Sequence, residues 1–183
     1  MKAKPLPCIN YLRECFYYNA ETGLLVWKNR PESHFNSFNK YESANLKKAG
    51  FEAGYLGSNG YRRVNLNGKI YLVHRISLML ATGKDPQNRF VDHINGIPSD
   101  NRMCNLRLAT HTQNMRNRVN GAHKSSISGV RGVYKNKSGT YRSSYWLEGK
   151  RIHLGNFSTL KEAATLADQA RKKIFGEFSG IKN

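Results

Sequence analysis

The sequence predicts an α+β protein built from two modules, each of which combines short strands with helices. Residues 89–114 follow the order strand, loop, strand, helix, and an Asn-Gly hairpin precedes them. Residues 129–157 contain three short strand-like runs, and an amphipathic helix follows them. Because strands and helices do not alternate as βαβ units, the pattern favours small antiparallel sheets packed on helices.

The first part of the chain predicts one short helix, one strand and a long irregular segment. Residues 8–18 place Ile9, Leu12 and Phe16 at helical spacing, and residues 24–28 (LLVWK) are typical of a strand. Residues 29–53 are polar and rich in Ser, Asn and Lys, which predicts an irregular excursion. Long segments of this kind often have a binding role.

A hairpin and a helix come next. Residues 60–66 and 69–73 are rich in β-forming side chains and meet at Asn67-Gly68. An Asn-Gly pair between two such runs indicates a tight hairpin. The run HRISLMLATG then predicts a helix with Ile76 and Met79 on one face and Gly83 as its C-terminal stop.

The C-terminal part predicts a meander of three strands and a capped helix. The breaks between the strands fall at Ser138-Gly139 and Glu148-Gly149. The helix follows Ser158 or Thr159, either of which can cap it, and Glu162 supports its first turn. We expect a three-stranded antiparallel sheet packed on this one helix.

The charge balance predicts a polyanionic partner. The 183 residues include 30 Lys and Arg against 12 Asp and Glu, a formal net charge of +18. Such an excess attracts phosphates, although a solubilised basic surface or an acidic membrane are alternatives. Nucleic acid is favoured because the basic residues are interleaved with Tyr, Asn and Gly. No apolar run is long enough to span a membrane, and three Cys without C-x-x-C spacing favour a reducing setting.

Four polar residues in the strand–loop–strand–helix region suggest metal-dependent cleavage of nucleic acid: Asp92, His93, Asn105 and Asn114. Hydrolysis of a phosphodiester needs a deprotonated nucleophile, charge neutralisation at phosphorus and a stabilised leaving oxygen. Carboxylate and amide oxygens suit Mg²⁺, which often takes only one or two protein ligands. In a regular strand Asp92 and His93 would point to opposite faces, so we expect a local bend at Gly96 or a pairing irregularity to align them.

This region resembles the HNH endonucleases, in particular the phage and intron-encoded homing branch. The matching elements are D-H-I-N-G from Asp92, D-N-R from Asp100, N-L-R from Asn105, and Asn114 on the helix. The resemblance implies a ββα-metal core over about residues 89–118, with the preceding hairpin flanking it. It also implies one divalent ion, Mg²⁺ with Mn²⁺ as the alternative. His93 is then the general base, and Asp92 and Asn114 are the metal ligands. Asn105 is expected to hold the loop and to orient His93.

The C-terminal module resembles the ethylene-response-factor (APETALA-type) DNA-binding domain, which also occurs fused to phage HNH nucleases. The landmarks are Arg131-Gly132-Val133, Leu154-Gly155-x-Phe157 and Glu162-Ala163-Ala164. The resemblance implies a sheet that lies in the major groove and contacts DNA through Arg and aromatic side chains. Strand periodicity puts Arg142, Ser144 and Trp146 on one face, although Trp146 could instead serve cross-strand packing.

The candidate DNA-contacting residues fall in both modules. They are His74, Arg75, Arg107 and Arg116 in the first, and Arg131, Lys135, Arg142, Trp146 and Arg151 in the second. The expected domains are 1–118 for the N-terminal region and nuclease, 119–128 for a linker, and 129–180 for the DNA-binding module.

The function that these features predict is a site-specific DNA endonuclease of homing type, which hydrolyses phosphodiesters to 5′-phosphate and 3′-hydroxyl ends. Its partner is double-stranded DNA, and no membrane is involved. Two alternatives stay open: a DNA-binding regulator with an inactive core, and a junction or repair nuclease. Monomer and homodimer also stay open, and with them nicking or cleavage of both strands. The expected location is the cytoplasm of a host cell, bacterial if the chain is phage-encoded.

Overall fold

The computed structural model describes residues 4–117 and 126–180, which fall into two compact units, Met1–His111 and Thr112–Asn183. Most of the expected linker, residues 119–128, lies outside the described residues. The expected boundary at residue 118 differs from this division, which passes through the beginning of a helix. Helices and small antiparallel sheets make up both units, so the α+β class is confirmed.

The first unit contains three helices and seven strands among its described residues. In chain order they are α1 (Ile9–Cys15), β1 (Phe16–Tyr18), β2 (Leu25–Trp27), α2 (Phe38–Lys48), β3 (Tyr55–Leu56), β4 (Arg62–Leu66), β5 (Lys69–Leu72), α3 (Val73–Thr82), β6 (Phe90–His93) and β7 (Leu106–Ala109). Strands β1 and β2 pair, as do β6 and β7, and β3, β4 and β5 form a sheet in that order. Helix α4 (His111–Arg116) follows β7.

One apolar core joins α1, the first hairpin, the three-stranded sheet and α3. Leu12, Leu25, Val64 and Ile76 lie in it, each almost completely buried. Helix α3 ends where the sequence predicts, since Gly83 adopts a left-handed φ of 74° and its N–H donates to Met79 O. The hairpin at Asn67-Gly68 is also confirmed, because both residues have the positive φ that its tight turn requires.

The expectation of an irregular segment at 29–53 was wrong in part, because α2 occupies Phe38–Lys48. No residue of this helix is buried. It therefore lacks the apolar stripe by which helical periodicity is recognised in a sequence. No helix among the described residues combines the length and apolar character that a membrane span requires.

The second unit contains the expected three-stranded sheet on one helix. Its strands are β8 (Val133–Lys135), β9 (Tyr141–Leu147) and β10 (Lys150–Phe157), in the order β10-β9-β8, and α5 spans Leu160–Phe175. Val133 packs with Ala163 and Ala167 of α5, and Tyr141 and Phe157 close the sides of this core. The two alanines let the helix approach the sheet closely, so one face of the sheet is covered.

We expect Thr159→Ala to destabilise the beginning of α5 by about 1 kcal/mol. The Thr159 side chain accepts from Glu162 N, and the Glu162 side chain accepts from Thr159 N, which forms a capping box. Native-state hydrogen exchange of the amides in α5 would measure the loss. Ser158→Ala is the matched control, and equal exchange in the two variants would contradict the cap.

Candidate active site and nucleic-acid interface

The loop between β6 and β7 is held by the side chain of Asn105. Asn105 is buried, its Oδ1 accepts from Asn95 N at 2.9 Å, and its Nδ2 donates to Asp100 O at 2.8 Å. One amide therefore bonds Asn95 and Asp100, which lie on the two sides of the turn, and its role in the site stays a prediction. Gly96 allows the intervening turn, with a φ of 70°.

A charged cluster closes the far end of the same loop. Asp100 accepts from Arg102 Nη2 and from Asn95 Nδ2, both at 2.7 Å. The hydrogen bond from the Arg102 side chain is the main reason that the pKa of Asp100 falls to about 2. Asp100 therefore stays ionised near neutral pH and remains an acceptor for both partners.

Asp92 lies opposite Arg107 in the β6–β7 pair. Arg107 Nε donates to Asp92 Oδ2 at 2.9 Å, and the two side chains are only 11% and 7% exposed. The sequence predicts Arg107 as a phosphate contact, whereas the structure places it on the carboxylate. Its contact with DNA stays a prediction, and its observed role is to balance the buried charge of Asp92.

His93 extends from the next position of β6, and the pairing register has no shift from Phe90 to His93. A pairing irregularity is therefore absent from this strand, and Asp92 and His93 begin on opposite faces, with the turn at Gly96 following β6. His93 Nε2 lies 3.1 Å from Asn101 Oδ1. Asn101 thus takes the orienting contact that the sequence assigned to Asn105, whose amide is occupied by Asn95 and Asp100.

Two rings surround His93. The His74 ring meets it edge-on with centroids 5.0 Å apart, and the Tyr61 centroid lies 5.7 Å away. Burial is the main cause that lowers the pKa of His93, while the Asn101 hydrogen bond and the Asp92 charge oppose it. A lowered pKa keeps the imidazole neutral at physiological pH, the form that a general base needs.

The expected DNA contacts of His74 and Arg75 do not fit the structure. Both residues are about 95% buried on α3. Arg75 donates to Arg89 O at 2.9 Å and to Gln87 O at 2.7 Å, so its guanidinium fixes the segment before β6. His74 packs on Tyr61 and His93. Neither side chain is available to phosphate, because both are enclosed in the first unit.

Asn114 and Arg116 lie on α4, past the division between the units. The role of Asn114 as a metal ligand therefore stays a prediction. The Arg116 guanidinium lies 4.5 Å from the centroid of the Phe175 ring, and its carbonyl accepts from Arg131 Nη1 at 2.9 Å. Arg116 and Arg131 thus fasten the end of α4 to the C-terminal module, and their contact with DNA is untested.

The sheet face away from α5 carries cations and exposed rings. Trp146 is 57% exposed, so the cross-strand packing alternative does not bury it. The Arg151 guanidinium lies 5.4 Å from the Trp146 ring centroid and 5.3 Å from that of Tyr134, and the Arg142 guanidinium lies 5.5 Å from Tyr134. Stacked guanidinium and aromatic groups of this kind suit contacts with phosphates and bases.

Lys135 does not belong to this face. It pairs with Tyr141, which packs against the core, whereas its neighbour Tyr134 pairs with Arg142 on the outer side. Alternation therefore puts Lys135 on the helix side, exposed at the edge of the sheet. Sequence reasoning had missed Asn101, Tyr61 and Tyr134. Of these, only Asn101 carried a signal, as the middle letter of D-N-R.

We expect acidification to destabilise the first unit partly through His74. Burial, assisted by the charges of His93 and Arg75, lowers its pKa to about 3, whereas an unfolded His titrates near 6.5. The unfolded state therefore binds the proton first. The contribution of His74 to the free energy of unfolding is therefore most favourable above about pH 6.5 and falls by up to ~1.4 kcal/mol per pH unit as pH drops toward 3.

His74→Phe should remove this contribution and keep a ring in place. Urea unfolding of both proteins between about pH 7 and pH 4 measures the slopes. An identical pH slope in the variant and the parent would contradict the burial of a neutral His74.

Comparison with known proteins identifies both modules. The HNH endonuclease family matches residues 71–116, and the AP2 domain matches residues 128–177. An uncharacterized HNH endonuclease of Acanthamoeba polyphaga mimivirus, L560, is 34% identical over 125 residues, which cover 68% of this chain and 64% of that protein. Protein 3.8 of Escherichia phage T7 is 30% identical over 103 residues, which cover 56% of this chain and 83% of that protein.

This chain thus spans slightly less than two thirds of the mimivirus protein. No solved structure gives a significant match. The family matches cover the β6–β7 hairpin with its loop and the three-stranded sheet with α5. The chain therefore carries an HNH endonuclease domain, and an AP2 domain follows it.

Proposed function

We propose that the protein is a site-specific endonuclease of homing type that hydrolyses double-stranded DNA to 5′-phosphate and 3′-hydroxyl ends. The observation that carries the proposal is that His93 and Asp92 are neighbours on β6, within the matched HNH domain. The first is a buried imidazole whose pKa is lowered, and the second is a buried carboxylate on the same strand.

His93 is the general base in this proposal. A neutral imidazole accepts the proton of the attacking water, and its lowered pKa keeps it in that form at pH 7. Asn105 contributes by holding the loop that follows His93, since it bonds both loop ends. Arg107 balances the Asp92 charge within the folded protein.

Asp92 and Asn114 are the proposed ligands of one divalent ion, Mg²⁺ or Mn²⁺. Their oxygens are hard donors, which suit these ions better than zinc. Arg107 occupies one oxygen of Asp92, and a carboxylate has about four lone-pair sites in all. The ion, when bound, supplies neutralisation of phosphate charge and stabilisation of the departing sugar oxygen. Among the described residues no group of three or more His, Cys, Asp or Glu forms a metal site.

The AP2 sheet is the proposed DNA-reading surface. Phosphate contacts position a protein on DNA, whereas base contacts choose the sequence. The outer face offers both kinds, because Arg142 and Arg151 are cationic and Trp146 and Tyr134 present ring surface. A nuclease joined to such a module gains affinity through effective concentration.

The viral relatives support action inside a host cell, which is bacterial if the chain is phage-encoded. One HNH domain cuts one strand at each engagement. A monomer would therefore nick its target, whereas a homodimer would cut both strands.

His93→Ala should reduce the cutting rate by about 100-fold or more, since a general base contributes roughly 10²–10⁴. DNA binding should be almost unchanged, because His93 is buried within the first unit. Cleavage of duplex DNA with Mg²⁺ and a gel-shift assay measure the two effects. Parent protein with the divalent ion chelated is the control. Equal loss of cutting and binding would contradict the general-base role.

Arg151→Ala should weaken DNA binding by about 1–3 kcal/mol if Arg151 contacts a base. If it contacts a phosphate, the slope of log K against log salt concentration should fall by about 1. Lys150→Ala is the matched control, because it removes the same charge one position away on the opposite face of β10. Titrations at several salt concentrations measure both variants. Equal losses would mean that net charge, and not the outer sheet face, holds the DNA.

A further inference from the structure

We propose that Asn101 is the positioning residue for His93, and that the N-terminal β1–β2 hairpin holds Asn101 in place. The catalytic consequence rests on the proposed nuclease function. The contacts themselves lie partly outside the stretch that the HNH family matches, which begins at residue 71.

The first step is the hydrogen bond between the two side chains. Asn101 is 2% exposed, and its Oδ1 lies 3.1 Å from His93 Nε2. An amide oxygen only accepts, so Nε2 carries the proton. A neutral imidazole has one protonated nitrogen, and Nδ1 is therefore the nitrogen with the lone pair. This contact therefore favours the tautomer in which Nδ1 acts as the base.

Two neighbouring rings restrict the imidazole of His93. His74 meets His93 edge-on at 5.0 Å, and Tyr61 lies at 5.7 Å, so the two rings limit how the imidazole tilts. Ring packing does not distinguish one imidazole nitrogen from the other. A directional acceptor makes that distinction, and Asn101 Oδ1 is such an acceptor for Nε2.

The next step is the attachment of Asn101 to the first hairpin. The hydroxyl of Tyr18, the last residue of β1, donates a hydrogen bond to Asn101 O at 2.7 Å. Burial raises the pKa of Tyr18 to about 12, so the hydroxyl remains a donor. Two residues past Asn101, Met103 N donates to Ala20 O at 2.9 Å. The loop is therefore bonded to the hairpin on both sides of Arg102.

Gly23 brings the two backbones into direct contact. Its φ is 76°, and a Cβ there would lie 2.5 Å from Arg102 N and 2.7 Å from the carbonyl carbon of Asn101. Any side chain at this position would push the hairpin turn away from the loop. The turn at residues 20–23 is therefore in direct contact with the segment that contains Asn101.

The test compares four variants of the full chain: Asn101→Leu, which removes the acceptor; Asn101→Asp, which keeps one; Tyr18→Phe, which removes only the hydroxyl; and Tyr17→Phe as the matched control. Tyr17 is 59% exposed and precedes Tyr18 directly. The first readout is the ¹⁵N spectrum of the His93 imidazole without metal or DNA, at a pH where the ring is neutral.

The parent, Asn101→Asp and Tyr17→Phe should show the proton on Nε2. Asn101→Leu should show a mixture of both tautomers, and Tyr18→Phe a smaller change in the same direction. The second readout is cleavage kinetics. Asn101→Leu should lower kcat by about 10- to 100-fold at unchanged KM, because a misplaced catalytic group loses rate and not binding. Asn101→Asp should recover part of that loss.

An unchanged Nε2 proton in Asn101→Leu would overturn the proposal, whatever the cutting rate. If Asn101→Leu does not fold, Tyr18→Phe decides: a tautomer and kcat equal to those of Tyr17→Phe would overturn the role of the hairpin. A parent protein that cuts no DNA, with the tautomers as expected, would refute the nuclease function and the catalytic role of Asn101 while the hydrogen bond stands.

Discussion

The candidate active site depends on one buried amide, that of Asn105. Its two hydrogen bonds join Asn95 to Asp100 and so fix the loop through which His93 and Asn101 meet. Each bond contributes about 0.5–1.5 kcal/mol net, but a buried group left unpaired costs about 1–3 kcal/mol. Loss of this amide would therefore leave Asn95 N and Asp100 O without their acceptor and donor.

In the second unit, the helix covers one face of the sheet and leaves the other face exposed. Ala163 and Ala167 bring α5 against one side of the sheet, so the apolar side chains of the strands are used there. Arg142, Trp146 and Arg151 are left on the other side, where guanidinium groups and rings hold one another in place. The surface available to a polyanion follows from which side the helix covers.

The sequence predicted well whatever depended on near neighbours. Asn67-Gly68 gave the hairpin, Thr159 and Glu162 gave the cap of α5, and Gly83 gave the end of α3. Failures came where the deciding contact is distant or the pattern is weak. The sequence predicted Arg75 as a cation available to DNA, but it donates to carbonyls of another segment. Helix α2 has no buried face, so the sequence carries no apolar pattern that would predict it.

The residues around His93 show the same limit. The motif indicated His93 and Asp92, and alternation along β6 set them on opposite faces. Nothing local showed that Asn101 faces the imidazole, or that Tyr18, 83 positions earlier, bonds its carbonyl. The pairing of Asp92 with Arg107 became visible only once the strand register was known. Tertiary contacts thus decided roles that residue type alone left open.

The shared core of the first unit sets how much of the chain is needed to keep the HNH stretch folded. Ile76 and Met79 of α3 belong to the matched HNH stretch, yet they are buried among Leu12, Leu25 and Val64, which precede it. A fragment of residues 71–116 alone would expose this apolar surface to water. The smallest stretch that keeps this core closed therefore includes the early hairpin as well as the β6–β7 loop.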